Sequence, residues 1–216
     1  MASNLLLIPT AIERDKIMSR LDVPAIDDSW VTQLCGFGQI AAAARTSQLI
    51  AKYHPERIVL VGIAGAFSGR GDVGSAYRFR KVTCDGIGVG AGETFRSASD
   101  IGWAHFADIG DEIALGGWSD TSSVVEGSVV EGRLLSVCAA SQSVSEAGAR
   151  ADRFPDAVAE DMEAFGVAMA CQMHNVPLEV VRGISNEVGD RDHSRWQIDK
   201  ALQAAAELVI RLFDRR

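Results

Sequence analysis

The chain has no CxxC pair. Its four cysteines, Cys35, Cys84, Cys138 and Cys171, lie scattered along 216 residues. That pattern excludes a disulfide framework or a zinc knuckle as the sequence reading and fits reduced thiols in a cytoplasmic setting. Long apolar runs are missing too: none reaches the ~18 residues of a membrane span. Met1 to Pro9 carries neither a basic flank nor a cleavage signature, so it reads as a first strand rather than a leader. An excess of positive charge is absent. The formal charge is −8, which argues against nucleic acid and anionic membrane as main partners. A small anionic ligand stays open, since it needs only a local Arg. No linker or break in composition divides the chain, so a single domain over residues 1–216 is expected, within the range of one α/β sheet.

What is present is a hydrophobic content of 47%, enough for a large core, laid out in alternating runs. Asn4 to Ile8 is an apolar strand closed by Pro9. Thr10 can cap a helix over Ala11 to Leu21 with Glu13 in its first turn. Trp30 to Cys35 alternates like a strand, Gly36-Phe37-Gly38 turns it, and Gln39 to Tyr53 is Ala-rich and helical. Arg57 to Ile63 is the most β-prone run. It ends in Gly-Ile-Ala-Gly-Ala, Gly62 to Ala66, where a tight turn lining a pocket is expected. Ser75 to Cys84 reads as one strand, Asp85 to Ser97 as a Gly-rich surface loop, and Ile101 to Asp111 as a short helix or irregular. A tandem SVVEG over Ser123 to Gly132 is too short for a repeat fold and reads as a local duplication around a turn. Arg133 to Cys138 and Ala157 to Glu160 read as strands, and Ser143 to Arg153 as a helix. After Met162-Glu163, apolar residues from Phe165 to Cys171 recur at helical spacing until Asn175-Val176-Pro177 breaks them. Leu178 to Ile184 is a short apolar strand, and Arg195 to Phe213 a final amphipathic helix. Such alternation implies a largely parallel sheet covered on both faces.

Directly after Leu178 to Ile184 come Ser185-Asn186 and a polar loop. Ligands of open α/β sheets sit beyond the carboxyl ends of strands, so chemistry is sought there first. A dinucleotide fingerprint would need GxGxxG, and only Gly62 and Gly65 match that spacing. Gly183 to Glu187 half resembles a nucleophile elbow, but Glu187 stands where Gly belongs, and Asp190, Asp192 and His193 follow too closely for a Ser…Asp…His order. Those three residues lack the spacing of a metal site and read as a salt-bridged loop; no metal and no cofactor are expected. Glu163 and Glu13 are each explained, taken alone, as acids favoured near a helix start. Two such acids and an amide, each just after a predicted strand, are less easily explained apart.

Together these residues resemble the purine nucleoside phosphorylase and nucleosidase superfamily. The likeness rests on the opening strand with Glu13, the Gly62 to Phe67 stretch, Met162-Glu163 and Ser185-Asn186. Within it, Arg182 to Trp196 is most similar to futalosine hydrolases, nucleosidases of menaquinone biosynthesis through futalosine. The resemblance implies a three-layer α/β/α sandwich around a mixed, largely parallel sheet, usually in a homo-oligomer (dimer or larger), with a small nucleoside as substrate.

The roles it implies have a physical basis. Breaking an N-glycosidic bond leaves positive charge on the sugar and negative charge on the base, and both must be stabilised. Glu163 is expected to accept from the ribose hydroxyls, with Met162 as a soft apolar wall. Glu13 is the expected general base for water, with Asp15 as the alternative if the match slides by two residues. Asn186 stands where adenine-cleaving relatives carry Asp. An amide both donates and accepts, which suits a 6-oxopurine, so hypoxanthine is the expected leaving group. Ala64 and Gly65 offer no hydroxyl for phosphate, favouring water as nucleophile, although Arg45 and Arg70 keep phosphate open as an alternative. Cys138 and Ala139 are expected at the base. Arg191, Arg195 and Arg96 compete for the carboxylate of the 5′ extension, and Phe95 or Trp103 for its ring. A nucleoside phosphorylase, an adenine-releasing nucleosidase and a non-catalytic nucleoside-binding protein remain the competing readings.

Overall fold

A computed structural model describes residues 4–20, 29–116, 129–130 and 132–213. Its strands are β1 (Asn4–Ile8), β2 (Trp30–Leu34), β3 (Arg57–Ala66), β4 (Ala76–Phe79), β5 (Lys81–Asp85), β6 (Gly88–Val89), β7 (Arg96–Ser97), β8 (Glu112–Ala114), β9 (Val129–Val130), β10 (Arg133–Val137), β11 (Ala157–Asp161) and β12 (Leu178–Glu187). The helices are α1 (Ala11–Met18), α2 (Gln39–Tyr53), α3 (Val144–Arg153), α4 (Ala164–His174) and α5 (Ile198–Phe213).

The main sheet runs β8-β5-β10-β11-β3-β12-β4-β9, with β1 paired to β3 and β2 to β1. Most pairs are parallel; β11–β3, β12–β4 and β5–β8 are antiparallel. Alternation of side chains across the pleat divides the core into layers. Leu5, Leu7, Ile58, Leu60 and Val180 pack with Ala42 and Leu49 of α2 and Phe165 and Val167 of α4. Leu6, Ile8, Val59, Val61 and Val181 pack on the opposite face with Ile17 of α1 and Leu202, Ala205 and Val209 of α5. This is the expected three-layer sandwich around a mixed, largely parallel sheet. Gly183 lets α5 lie on β12, since a Cβ there would stand 2.1 Å from the Ala201 carbonyl oxygen.

Several expectations need correction. The Gly62 to Ala66 stretch is no turn: β3 continues through it, because both neighbours, β12 and β11, go on pairing as far as Ala66. Ser75 to Cys84 is two strands divided at Arg80. β4 pairs with β12 and β5 with β10, on opposite sides of the sheet. The Gly-rich 85–97 stretch contains the β6–β7 ribbon. Helix α1 ends at Met18, and Leu21 lies outside the described residues. Of the tandem SVVEG, Val129–Val130 forms β9, Gly132 lies in a bend, and the rest falls outside them. Among the described residues no helix is long and apolar enough to cross a membrane.

Candidate active site

Glu13 serves the helix start and also reaches the sheet. It closes the capping box of α1: its backbone N–H donates to Thr10 Oγ1 at 3.3 Å, and Thr10 Oγ1 and N donate to Oε2 at 2.7 and 3.1 Å. Its other oxygen, Oε1, accepts from the Ile63 backbone N–H of β3 at 3.1 Å. The carboxylate is thereby buried against the middle of the sheet. Asp15 instead ion-pairs with Arg14 on the exposed face.

Glu163 stands at the N-cap position of α4 yet makes no cap bond to its own helix. The cap is supplied from elsewhere. Asp161 Oδ2 accepts from Ala164 N at 3.0 Å, and Ser136 Oγ accepts from Phe165 N at 2.8 Å while donating to Asp161 Oδ1 at 2.5 Å. Relieved of the helix, Glu163 Oε1 takes the Gly38 N–H at 3.0 Å. Gly38 begins α2 with φ +83°, a conformation that favours glycine. Gly166 lets the two helices meet there, since a Cβ on it would stand 2.2 Å from the Gln39 carbonyl oxygen.

Between the acids lies Arg182, fully buried in β12. Its Nε donates to Asp161 Oδ2 at 3.0 Å, Nη2 bonds the same oxygen, and Nη2 reaches Glu163 Oε2 at 3.5 Å. Nη1 is buried and has no hydrogen-bond partner. Nη1 and Glu13 Oε1 both lie against Gly62, where a Cβ would approach them to 2.4 and 2.8 Å. A free donor and a carboxylate oxygen thus face one bare backbone position. Desolvation by burial pushes Glu163 up to about 7, with the Asp161 and Glu13 charges adding to it and Arg182 and the Gly38 N–H opposing it. Burial pulls the Arg182 guanidinium down, but Asp161, Glu163 and Glu13 outweigh this and hold it above its usual range. Cys35, in the same surroundings, is pushed up to about 12 by burial against the pull of Arg182.

Asn186 lies further along the same strand pair. It is opposite Gly65, whereas Arg182 is opposite Gly62, with a bulge at Ser185 between Ile184 and Asn186. Three strand residues separate the two levels by about 10 Å. The amide is oriented by its neighbours: Oδ1 accepts from Ser185 Oγ at 2.7 Å, and Nδ2 donates to the carbonyls of Glu187 at 2.8 Å and Asp190 at 3.5 Å. Ser185 is therefore a support for Asn186, and His193 stacks on Trp196 rather than meeting Ser185; the serine-hydrolase pattern is not formed. Asp190 and Asp192 are engaged by Arg195.

The remaining candidates are spread more widely. Met162 is half-buried against the apolar cluster that contains Phe67, Val137 and Val188. Ala64 faces the α2/α4 core, and its carbonyl accepts from Ser185 Oγ at 3.3 Å; Gly65 is half-buried against Val188 and Asn186. Cys138 and Ala139 are exposed beyond β10, with the Ala139 carbonyl accepting from Arg150 Nη2 at 2.8 Å. Arg191 is exposed, its guanidinium 5.0 Å from the Trp196 ring centre. Arg70 is occupied by the carbonyls of Phe154 and Ala157. Arg182, Asp161 and the Gly38 N–H were not foreseen as site groups. A charged residue inside the apolar run LEVVRGI is the signal that marks Arg182, since an unpaired buried charge is too costly to keep.

Residues 28–215 match the model of the phosphorylase superfamily. The chain belongs to that superfamily. It is 29% identical to the futalosine hydrolase of Streptomyces coelicolor over 226 residues, covering 96% of this chain and 94% of that one. It is 28% identical to the 5′-methylthioadenosine/S-adenosylhomocysteine nucleosidase of Maridesulfovibrio salexigens over 186 residues, 83% of this chain and 77% of the other. Among solved structures, the fold is similar to futalosine hydrolase of Helicobacter pylori, with TM-score 0.77, 15% identity, and coverage of 100% of this chain and 98% of that one. The corresponding figures for the Neisseria meningitidis 5′-methylthioadenosine/S-adenosylhomocysteine nucleosidase in complex with methylthio-immucillin-A are 0.74, 18%, 97% and 98%. These superfamily relatives are nucleosidases, and the chain is classed with them as an enzyme of the N-glycosyl-hydrolase type.

Proposed function

We propose that the chain hydrolyses the N-glycosidic bond of futalosine and releases hypoxanthine. The observation that carries this reading is the arrangement along β3 and β12. Glu13 and Arg182 meet at Gly62, Glu163 lies against the same guanidinium at 3.5 Å, and an amide rather than an acid stands about 10 Å further on, at Gly65. In this reading a nucleoside spans the two levels, with its sugar and nucleophile at the first and its base at the second.

In this reading Glu163 accepts from the ribose 2′- and 3′-hydroxyls and its charge stabilises the cationic sugar of the transition state. A water beside Arg182 and Glu13 accepts from Arg182 Nη1–H, which otherwise lacks a partner, and gives its proton towards Glu13 Oε1 as it attacks. Met162 walls the sugar. Asn186 meets the base as an amide: Oδ1 keeps one lone pair beside its Ser185 bond, and release of the long Asp190 bond frees an N–H. That pairing of donor and acceptor matches a 6-oxopurine. Ala64 and Gly65 carry no hydroxyl for a phosphate ion. The chain is taken to act as one domain over residues 1–216, in the cytoplasm, without cofactor, as a homo-oligomer.

The second reading is an adenine-releasing nucleosidase, favoured by the likeness to methylthioadenosine nucleosidases. One assay separates the two. The protein is incubated with futalosine, inosine and methylthioadenosine, with and without phosphate, and free base is measured. Hypoxanthine from futalosine at a rate independent of phosphate is expected. A phosphate requirement would overturn the hydrolase assignment, and faster release of adenine would overturn the choice of base.

A further inference from the structure

Arg150 of α3 lies outside the Glu13–Glu163–Arg182 group, yet all three of its guanidinium nitrogens are committed. Nε donates to Asp85 Oδ2 at 3.0 Å, Nη1 to Ser141 Oγ at 2.6 Å and Glu160 Oε2 at 3.0 Å, and Nη2 to the Ala139 carbonyl at 2.8 Å. Glu160 completes the cluster by accepting from Ser141 N at 2.7 Å and from Ser141 Oγ at 2.9 Å. Asp85, Ser141 and Glu160 are all buried. The other oxygen of Asp85 is taken by Arg153. A buried ionic cluster adds little net stability over apolar packing of the same volume, and its better attested effect is to fix one geometry. The geometry fixed here is the short segment after β10 that contains Cys138 and Ala139.

The cluster also has a definite place in the sheet. Glu160 of β11 pairs with Gly65 of β3, and Gly65 pairs on its other side with Asn186 of β12. Glu160 and Asn186 therefore flank β3 at the same level, two strand spacings apart. That level is the base end of the site in the reading above, on which this inference rests.

We infer that Arg150 and Glu160 are positioning residues for the base: by holding the Ala139 carbonyl and Ser141, they set the wall opposite Asn186 against which the purine is bound. They touch no reacting atom. Their loss should weaken contacts to the base and leave those to the sugar intact.

Binding of two probes by the full-length protein tests this: hypoxanthine, which reports the base end alone, and a hydroxylated iminoribitol without a base, which reports the sugar end alone. In Arg150→Met the hypoxanthine dissociation constant should rise by about tenfold, the equivalent of one good polar contact, while the iminoribitol constant stays within about twofold. Arg150→Lys, which keeps the charge but not the fork, should recover part of the loss. Because Arg150→Met leaves Glu160 buried without its cation, the double variant Arg150→Met/Glu160→Gln is measured alongside. It removes both charges and should show the same selective defect with a cooperative unfolding transition. Equal weakening of the two probes, or unchanged hypoxanthine affinity in the double variant, would overturn the positioning role. If the wild type instead releases adenine, the base assignment falls. Adenine then replaces hypoxanthine as the probe, and the same two outcomes decide the role of Arg150.

Discussion

Glu163 illustrates how one side chain is assigned by what its neighbours take over. Asp161 and Ser136 cap α4, so the Glu163 carboxylate turns to Gly38 and Arg182. Burial then leaves it titrating at about 7. To accept hydrogen bonds from two ribose hydroxyls it must be ionised. Lowering the pH through 7 protonates it, so kcat/KM, which reports the free enzyme, should fall on the acid side with an apparent pKa near 7. Glu163→Gln should lower turnover by about 10²-fold, as for loss of one charge-stabilising group, and should abolish that acid limb. A pH profile unchanged in the variant would assign the limb to another group. The stability effect follows from the same shift. A carboxyl held more tightly protonated in the fold than in the unfolded chain contributes stability below the ordinary carboxylate range, and this is lost as pH rises through about 7. Asn186 gives the matching test at the base. Asn186→Asp supplies an acid in place of an amide and should move the ratio of inosine to adenosine cleavage towards adenosine by at least about tenfold, the scale on which a site built for one hydrogen-bond pattern discriminates. An unmoved ratio would remove Asn186 from base choice.

At the scale of elements, the site is a property of the β3–β12 pair. Gly62 is the point where three elements converge, since Arg182 of β12, Glu13 of α1 and Pro9 after β1 all close on its missing side chain. Gly62→Ala places a methyl 2.4 Å from Arg182 Nη1 and 2.8 Å from Glu13 Oε1. Overpacking of this kind costs roughly 1–3 kcal/mol. The strand backbone itself accepts alanine, so the protein should fold with a modestly lowered Tm while base release falls steeply. Wild-type rates in Gly62→Ala would show that the space at Gly62 is not used. This convergence also marks the limit of sequence reading. The strand Asn4–Ile8 is legible as an unbroken apolar run and the helix Gln39–Tyr53 as one apolar period across the whole element. β3 reads too short from sequence because Gly62 to Ala66 is rich in small residues, which suggest a turn. Only its pairing partners, distant in the chain, keep it extended. The carboxylates Glu13 and Glu163 stood out as acids close behind strands. Arg182 did not, because its role depends on Asp161, 21 residues away. The β4–β5 division at Arg80 was hidden for a similar reason: each half pairs with a strand the local sequence does not name.

For the whole molecule, the thiols offer a census that separates core from site. Cys35, Cys84 and Cys171 are buried, while Cys138 is exposed. Burial pushes Cys35 and Cys84 up to about 12 and raises Cys171 further. Since the thiolate is the nucleophile, those three should resist alkylation at pH 8 as long as the sheet and its covering helices stay packed. Cys138 follows β10, one residue before the carbonyl held by Arg150. The native protein should therefore take up a single equivalent of iodoacetamide, at Cys138, and hypoxanthine should slow the uptake if that segment lines the base. In the proposed reading the carboxamidomethyl adduct should also depress base release, because that reading puts the purine in the same space. Peptide mapping after a short exposure, with and without hypoxanthine, checks both statements. Labelling of Cys35 or Cys84 ahead of Cys138 would mean that the core opens more readily than its packing implies. Equal labelling with and without base, on an enzyme that still releases hypoxanthine at the wild-type rate, would put the base pocket away from β10. In that case the Arg150 cluster would have to be understood as a purely structural tie between α3 and the sheet.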